Sequence, residues 1–249
     1  MLRHYLPKVV DHQKIFVLWW KMSEFSPHEA DFYPILSPEE QRRANRFISD
    51  TIKTRFIIAR GMLRHILAHY MNESPNTISF TYGARGKPIV AHVPFAFNLS
   101  HSEDIAMLAL AHTSQIGVDV EHIMPMAEMR RVASDYFSVN EQVVLFNLPN
   151  YEQLPAFYRC WTRKEAYIKA RGDGFALPLD KFDVTLTAHE TPCLLRTLDD
   201  DNPQNWQFFH LEPTIGYMGA ICVPVGDWTV EMHQINLTPK SPLQSGEGT

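Results

Sequence analysis

Helical patterns and short apolar runs follow one another in this chain in an order that occurs twice, and no other feature limits the fold as tightly. In the first half, residues 15–20, IFVLWW, are rich in β-formers and read as a buried strand. Ser37 then opens SPEEQRRANRF, with Pro38 at the first helical position and Glu40 three residues after the cap, the signature of a capping-box helix start. A second helical pattern covers about 51–70, and 78–81 reads as a short strand. Residues 95–99 lead into Ser100, His101 and Ser102 and then into the apolar run 105–111. A four-residue turn, HTSQ, separates that run from 116–121, IGVDVE, and the two are expected to form a β-hairpin.

The second half follows suit. A loose helical pattern covers 126–147, with Ser138 as a cap and Glu141 at its third helical position. A helix carrying 161–174, WTRKEAYIKARGDG, comes next, and then strands at 182–186, 207–211, 217–223 and 228–232, taken together as a small antiparallel sheet. The chain therefore reads as α+β, two similar halves meeting near Ile116, with a frayed tail rich in Pro, Ser, Gly and Gln after Leu237. Its 249 residues, 45% apolar, are ample for a real core. A net charge of −5 excludes a whole-protein attraction for nucleic acid or an anionic membrane, so any anion site must be local. Three widely spaced cysteines, Cys160, Cys193 and Cys222, fit neither a disulfide framework nor a CxxC metal site. With no continuous apolar stretch of signal or membrane length, the expected location is the cytoplasm.

Three groups of residues carry chemistry. At helical spacing Trp161, Glu165 and Lys169 share one face, either an exposed helix with an i,i+4 ion pair or a functional face holding an aromatic, a carboxylate and an ammonium. On a strand, Asp119 and Glu121 point the same way while Val118 and Val120 point the other, so the two carboxylates face either solvent or a neutralising cation. Arg42, Arg43, Arg46, Lys53, Arg55, Arg60 and Arg64 form a dense basic cluster, a solvated surface or a phosphate pocket. Between these lies YGARGKP, 82–88, whose glycines permit close backbone approach to a ligand and whose Lys87 supplies a charge; it lacks the spacing of a Walker A loop.

The order GKP, NLSHS, IGVDVE and WTRKEAYIKARGDGF resembles the surfactin-type (Sfp-like) 4′-phosphopantetheinyl transferases over about 37–184. The resemblance implies the 4′-phosphopantetheinyl transferase fold, two similar α+β subdomains related by a pseudo-twofold axis: an N-terminal subdomain over 1–115 on the coenzyme A side and a C-terminal one over 116–236 with the metal and the catalytic helix, followed by a disordered tail, 237–249. It further implies transfer of the phosphopantetheine arm of coenzyme A to a serine of an apo acyl or peptidyl carrier protein, with release of adenosine 3′,5′-bisphosphate. On the same resemblance Asp119, Glu121 and Glu165 hold one Mg²⁺, Glu165 and Lys169 are catalytic, and Lys169 meets the pyrophosphate. Gly86, Lys87 and Pro88 lie beside adenine and ribose, Ser100 and His101 at the phosphates, and Arg43 and Arg55 at the 3′-phosphate.

Two departures stand out. Glu40 sits where some relatives carry a basic residue, an expected weakening of 3′-phosphate binding, and Glu103 replaces a common turn glycine. A monomer is expected, with the carrier docking on 124–146 through Met126, Met129, Arg130 and Arg131; the alternative places those methionines in the core. The competing functions are an Mg²⁺-dependent nucleotide pyrophosphate hydrolase and a non-catalytic module binding coenzyme A or carrier proteins.

Overall fold

A computed structural model describes residue 6 and residues 12–83, 86–172, 177–199 and 201–236. The expected tail, 237–249, and the end of the catalytic motif at Asp173 and Gly174 lie outside these. The apolar run near the N-terminus is strand β1 (Lys14–Lys21), buried on both faces. Two short helices, α1 (Met22–Phe25) and α2 (Glu29–Phe32), lead to α3 (Pro38–Ala44). There Ser37 Oγ accepts from Glu40 N at 3.2 Å and the Glu40 carboxylate accepts from Ser37 N at 2.8 Å, so the capping box read from the sequence is formed. The long helix α4 (Asp50–Met71) follows and ends on Asn72 in the left-handed region at φ 54°. Asparagine tolerates that conformation better than most residues.

Two-residue strands β2 (Thr81–Tyr82) and β3 (Pro88–Ile89) make a small hairpin, and β4 (Ala96–Ser102) and β5 (Ile105–Ala111) a larger one. Then come β6 (Gly117–His122), α5 (Met129–Tyr136), α6 (Val139–Asn147), capped by Ser138 and Glu141 as expected, and α7 (Asn150–Arg171). The chain closes with β7 (Phe182–Val184), β8 (Leu194–Thr197), β9 (Trp206–Leu211), β10 (Tyr217–Pro224) and β11 (Thr229–Gln234).

The strands form two main sheets, ordered β11-β1-β5-β4 and β6-β10-β9. Their facing sides meet in one apolar layer that includes Val17, Met107, Val118, Val120 and Ile221, and full burial of side chains this size stabilises by roughly 1.5–3 kcal/mol each. The first sheet's other side packs with α4 around Leu18, Ile58, Met62 and Leu108. The second sheet's other side packs with α7 around Phe157, Ala166, Ala220 and Cys222.

Two expectations about strand pairing fail here, and the strand expected over 78–81 is confined to Thr81–Tyr82. Residues 105–111 and 116–121 are not a hairpin: β5 is flanked by β1 and β4, so neither of its edges is open, and β6 pairs instead with β10. The HTSQ segment is the crossing from one sheet to the other. The last strand, expected in the second half's antiparallel sheet, returns to the first sheet and runs parallel to β1, from Lys14 opposite Thr229 to Trp19 opposite Gln234.

Candidate active site

Strand β4 ends one sheet and β6 ends the other, and the two edges face each other. Side chains take the place of a backbone ladder between them. Asn98 Oδ1 accepts from Val118 N at 2.8 Å, and Ser100 Oγ donates to Asp119 Oδ1 at 2.9 Å. Ser102 Oγ donates to Glu121 Oε2 at 2.7 Å and accepts from His122 N at 3.2 Å. Residues 98, 100 and 102 can all reach across because alternate strand residues share a side. The same alternation points Asp119 and Glu121 together, as the sequence predicts.

Helix α7 lies over this seam. Of residues 161–170, only Trp161, Glu165 and Lys169 are not fully buried, so the face predicted from the spacing is real and the exposed-helix alternative fails. Lys169 Nζ donates to Asp119 Oδ1 at 2.6 Å and to Ser100 Oγ at 3.0 Å. Trp161 packs, stacking 6.1 Å from Phe157 and lying against Tyr136 and Phe137. The close approach depends on Gly117: a Cβ there would stand 2.0 Å from Ala166 O and 2.4 Å from Ala170 N.

The site is rich in uncompensated negative charge. Burial, then the Asp119 carboxylate, pushes Glu121 up to about 7, with Glu165 adding and Ser102 and Lys169 opposing. Burial also raises Glu165, with Lys169 opposing and Asp119 adding. At Lys169 burial disfavours the ammonium, but Asp119, Glu165 and Glu121 outweigh it and hold the pKa above the ordinary lysine value. Among the described residues no three His, Cys, Asp or Glu side chains stand as a ready-made metal cluster. Asp119 Oδ2 is nevertheless buried without a partner, and with Glu121 and Glu165 it offers the hard oxygen donors that Mg²⁺ takes. In donor type the three suit that ion.

A cavity of about 500 Å³ is lined by Arg42, Arg43, Arg46 and Arg60 together with the carboxylates of Glu39 and Glu40, and by Tyr82 and Gly86. Arg43 sits with its guanidinium 5.2 Å from the Phe56 ring centre. Nothing in the spacing separates Arg60 from the rest of the basic cluster, yet its Nη1 is buried with no partner and burial lowers its pKa. Arg55 does not line this cavity; it donates to Glu103 Oε2 at 3.0 Å. Glu103 has φ 47°, which accounts for a glycine preference at this turn position. Glu40 is not a free repelling charge in the cavity: it is buried, 2.7 Å from Arg64 Nη2 and 3.4 Å from Arg60 Nε.

Gly86, at φ 80°, and Pro88 shape the β2–β3 turn. The Lys87 side chain leaves that turn and donates to two main-chain carbonyls, Ile116 O at 2.8 Å and Lys169 O at 2.7 Å. His101 is on β4, and desolvation, then the charges of Lys169 and Arg55, lowers its pKa. In the expected docking segment Met126 and Met129 pack against the second core, so the core alternative holds for them. The exposed apolar residues there are Met124, Tyr136, Val139, Val143 and Val144. Lys164, inside the same motif as Glu165, is wholly buried on Glu141 at 2.7 Å. Its signal in the sequence is an ammonium one residue before Glu165, about 100° round the helix from it.

Comparison with known proteins agrees with this geometry. The profile of the 4′-phosphopantetheinyl transferase superfamily matches residues 115–230, and that of the 4′-phosphopantetheinyl transferase N-terminal region matches 23–113. The 4′-phosphopantetheinyl transferase HetI of Nostoc sp. is 37% identical over 202 residues, 80% of this chain and 82% of the relative. The transferase psf-1 of Bacillus pumilus is 33% identical over 191 residues, 76% and 79% of the two chains. Sfp of Bacillus subtilis is 28% identical over 206 residues, 82% and 89%. With both halves matched and the seam of carboxylates intact, the chain belongs to the 4′-phosphopantetheinyl transferase superfamily as an enzyme of the Sfp type.

Proposed function

We propose that this enzyme transfers the 4′-phosphopantetheine arm of coenzyme A to a serine of apo acyl or peptidyl carrier proteins in an Mg²⁺-dependent reaction that releases adenosine 3′,5′-bisphosphate. The observation that carries this reading is the meeting of Asp119, Glu121, Glu165 and Lys169 at one seam, with the buried Asp119 Oδ2 unpartnered. Cleaving a pyrophosphate calls for charge neutralisation, positioning and a deprotonated nucleophile. Asp119, Glu121 and Glu165 would hold the Mg²⁺, which supplies Lewis-acid neutralisation of the pyrophosphate oxygens when bound. Lys169 stabilises negative charge on the departing bisphosphate, and its raised pKa keeps it an ammonium at neutral pH. The serine proton goes to the Glu165 carboxylate where that side chain is not spent on the ion, and otherwise to a water beside it.

The arginine-lined cavity takes the 3′-phosphate and adenine side of coenzyme A, with Arg43 and Arg60 as its charged contacts and Gly86 and Pro88 shaping its rim. Ser100 and His101 lie between that cavity and the carboxylates in this reading, Ser100 through its bond to Lys169. The protein is read as a cytoplasmic monomer. Its free thiols, Cys160 and Cys222 buried and Cys193 half-buried, suit a reducing compartment, and no described helix is long and apolar enough to cross a membrane.

Intact mass of an apo carrier protein incubated with enzyme, coenzyme A and Mg²⁺ tests the reading, beside Glu165→Gln and an EDTA control. One added phosphopantetheine, seen only with active enzyme and metal, is the expected result. Metal-dependent loss of coenzyme A with no gain on any carrier would replace transfer by hydrolysis, and neither signal would leave a binding module.

A further inference from the structure

We propose that Lys87 is a positioning residue, a clamp that fixes the end of the catalytic helix and the start of the carboxylate strand against the nucleotide-side turn, and not a contact to coenzyme A. The proposal rests on the transferase reading above. Three observations meet at this point in the fold. First, the last four carbonyls of a helix have no partner within it, and Lys169 O is one of these in α7, which ends at Arg171. Gly172 N satisfies Ile168 O at 3.0 Å, and Lys87 Nζ, arriving from another segment, satisfies Lys169 O at 2.7 Å. A cation at a helix C-terminus is also favoured by the helix dipole.

Second, the same Nζ donates to Ile116 O at 2.8 Å, immediately before β6. Ile116 is followed by Gly117, whose missing side chain lets β6 begin against Ala166 and Ala170 of α7. One ammonium therefore bridges the two elements that carry Asp119 and Glu121 on one side and Glu165 and Lys169 on the other. Third, Lys87 belongs to the β2–β3 turn beside Gly86, which lines the arginine cavity. Two of its three N–H groups are spent on main-chain carbonyls, and burial lowers its pKa to about 8, so it remains charged at neutral pH. A lysine whose ammonium was to meet the adenine or ribose would keep its donors open.

The test compares wild type with Lys87→Met, which keeps the apolar stem and removes the donors, and Lys87→Arg, whose planar fork can reach two carbonyls. Kinetics with coenzyme A and a saturating apo carrier are read beside calorimetric binding of adenosine 3′,5′-bisphosphate and hydrogen exchange of the peptide spanning 165–172. The expected result for Lys87→Met is a fall in kcat of about tenfold or more, as misplacement of a catalytic group produces. KM for coenzyme A and affinity for the bisphosphate stay unchanged, exchange at the end of α7 becomes faster, and Lys87→Arg recovers much of both. A raised KM and weakened bisphosphate binding with unchanged exchange would overturn the proposal and make Lys87 a ligand contact. Unchanged kinetics and exchange would overturn it as well. Should Lys87→Met not fold, the same readings on Lys87→Arg decide, because a ligand role predicts altered bisphosphate affinity and a clamp does not. If the protein proves not to be a transferase, exchange of 165–172 still reports whether the clamp exists.

Discussion

The two halves build their long helices by the same device and use them differently. In the first, Ser37 and Glu40 cap α3, and Glu40 is buried against Arg64 of α4; Arg64 Nη1 also donates to Pro75 O at 3.0 Å and Ile78 O at 2.8 Å. In the second, Ser138 and Glu141 cap α6, and Glu141 is buried against Lys164 of α7; Lys164 Nζ also donates to Leu179 O at 2.6 Å and Phe182 O at 2.5 Å. Each cation also lies near an aromatic ring, Phe80 for Arg64 and Phe182 for Lys164. One residue beyond the buried cation stands His65 in α4 and Glu165 in α7; five residues beyond stand His69 and Lys169. The scaffold is therefore duplicated and the chemistry is not. A buried charge anchors each helix to a capping box, and the neighbouring face is free to carry either packing or catalysis.

The largest expected effect breaks the shared anchor. Lys164→Met leaves Glu141 buried without its cation and should lower unfolding free energy in urea by about 3–5 kcal/mol. Arg64→Met should cost less, because Arg60 remains 3.4 Å from Glu40. Equal losses would show that the two anchors are not distinguished by that second arginine. Next in size is the catalytic contrast between matching helix positions. Lys169→Met should lower kcat by about 10²–10³-fold, the range for a lost donor to developing charge, and because it also leaves the buried Asp119 without its cation, kcat is read on the folded fraction. His69→Met, at the corresponding place in α4, should leave kcat alone; a comparable loss there would mean that both halves carry chemistry.

Short-range spacing carries the local facts. Both capping boxes, the shared side of Asp119 and Glu121, and the Trp161–Glu165–Lys169 face follow from spacings of two to four residues, and all are present. What depends on distant partners was not legible. The run 105–111 looks like one arm of a hairpin with 116–121, but β1 and β4 occupy both its edges, and nothing nearby in sequence announces that. The return of β11 to β1 is hidden for the same reason. Lys87 draws a ligand reading from its place in a glycine turn, and Glu40 is set beside the ligand by the basic residue that some relatives carry there. Their actual partners, Ile116 O and Lys169 O for one and Arg64 for the other, come from other elements. Arg60 was hidden among six other basic residues, and only its burial without a partner at Nη1 separates it from them.

The second half adds an anchor that titrates. Asp183 is buried on β7, which disfavours its charge, but Arg196 grips both its oxygens at 3.0 Å and Asn140 donates at 2.9 Å, and together they hold its pKa at about 2. Because that value is below the ordinary aspartate range, the contribution is present above about pH 4 and is lost as pH falls through 2. Partial exposure of Arg196 screens the pair, so about 1–2 kcal/mol of stability is expected. Chemical denaturation of wild type and Asp183→Asn across this range should show curves that converge at the acid end; a constant separation would remove Asp183 from the acid response.

The smallest effect concerns the turn between β4 and β5, where the first half touches the seam. Glu103 combines two features: a left-handed backbone that costs a non-glycine residue about 1 kcal/mol, and an ion pair with Arg55 whose side chains are 45% and 30% exposed, worth less than about 1 kcal/mol. In Glu103→Gly the relieved strain is offset by the lost pair and by the larger entropy of the unfolded glycine chain, so stability should move by less than about 1 kcal/mol. Arg55, which stands near His101, is released by the same change and becomes available to a phosphate. KM for coenzyme A should then fall by about two- to fivefold, the scale of one exposed charge contact. An unchanged KM would place Arg55 with the fold of the β4–β5 turn and leave coenzyme A binding in the first half to the arginines of the cavity.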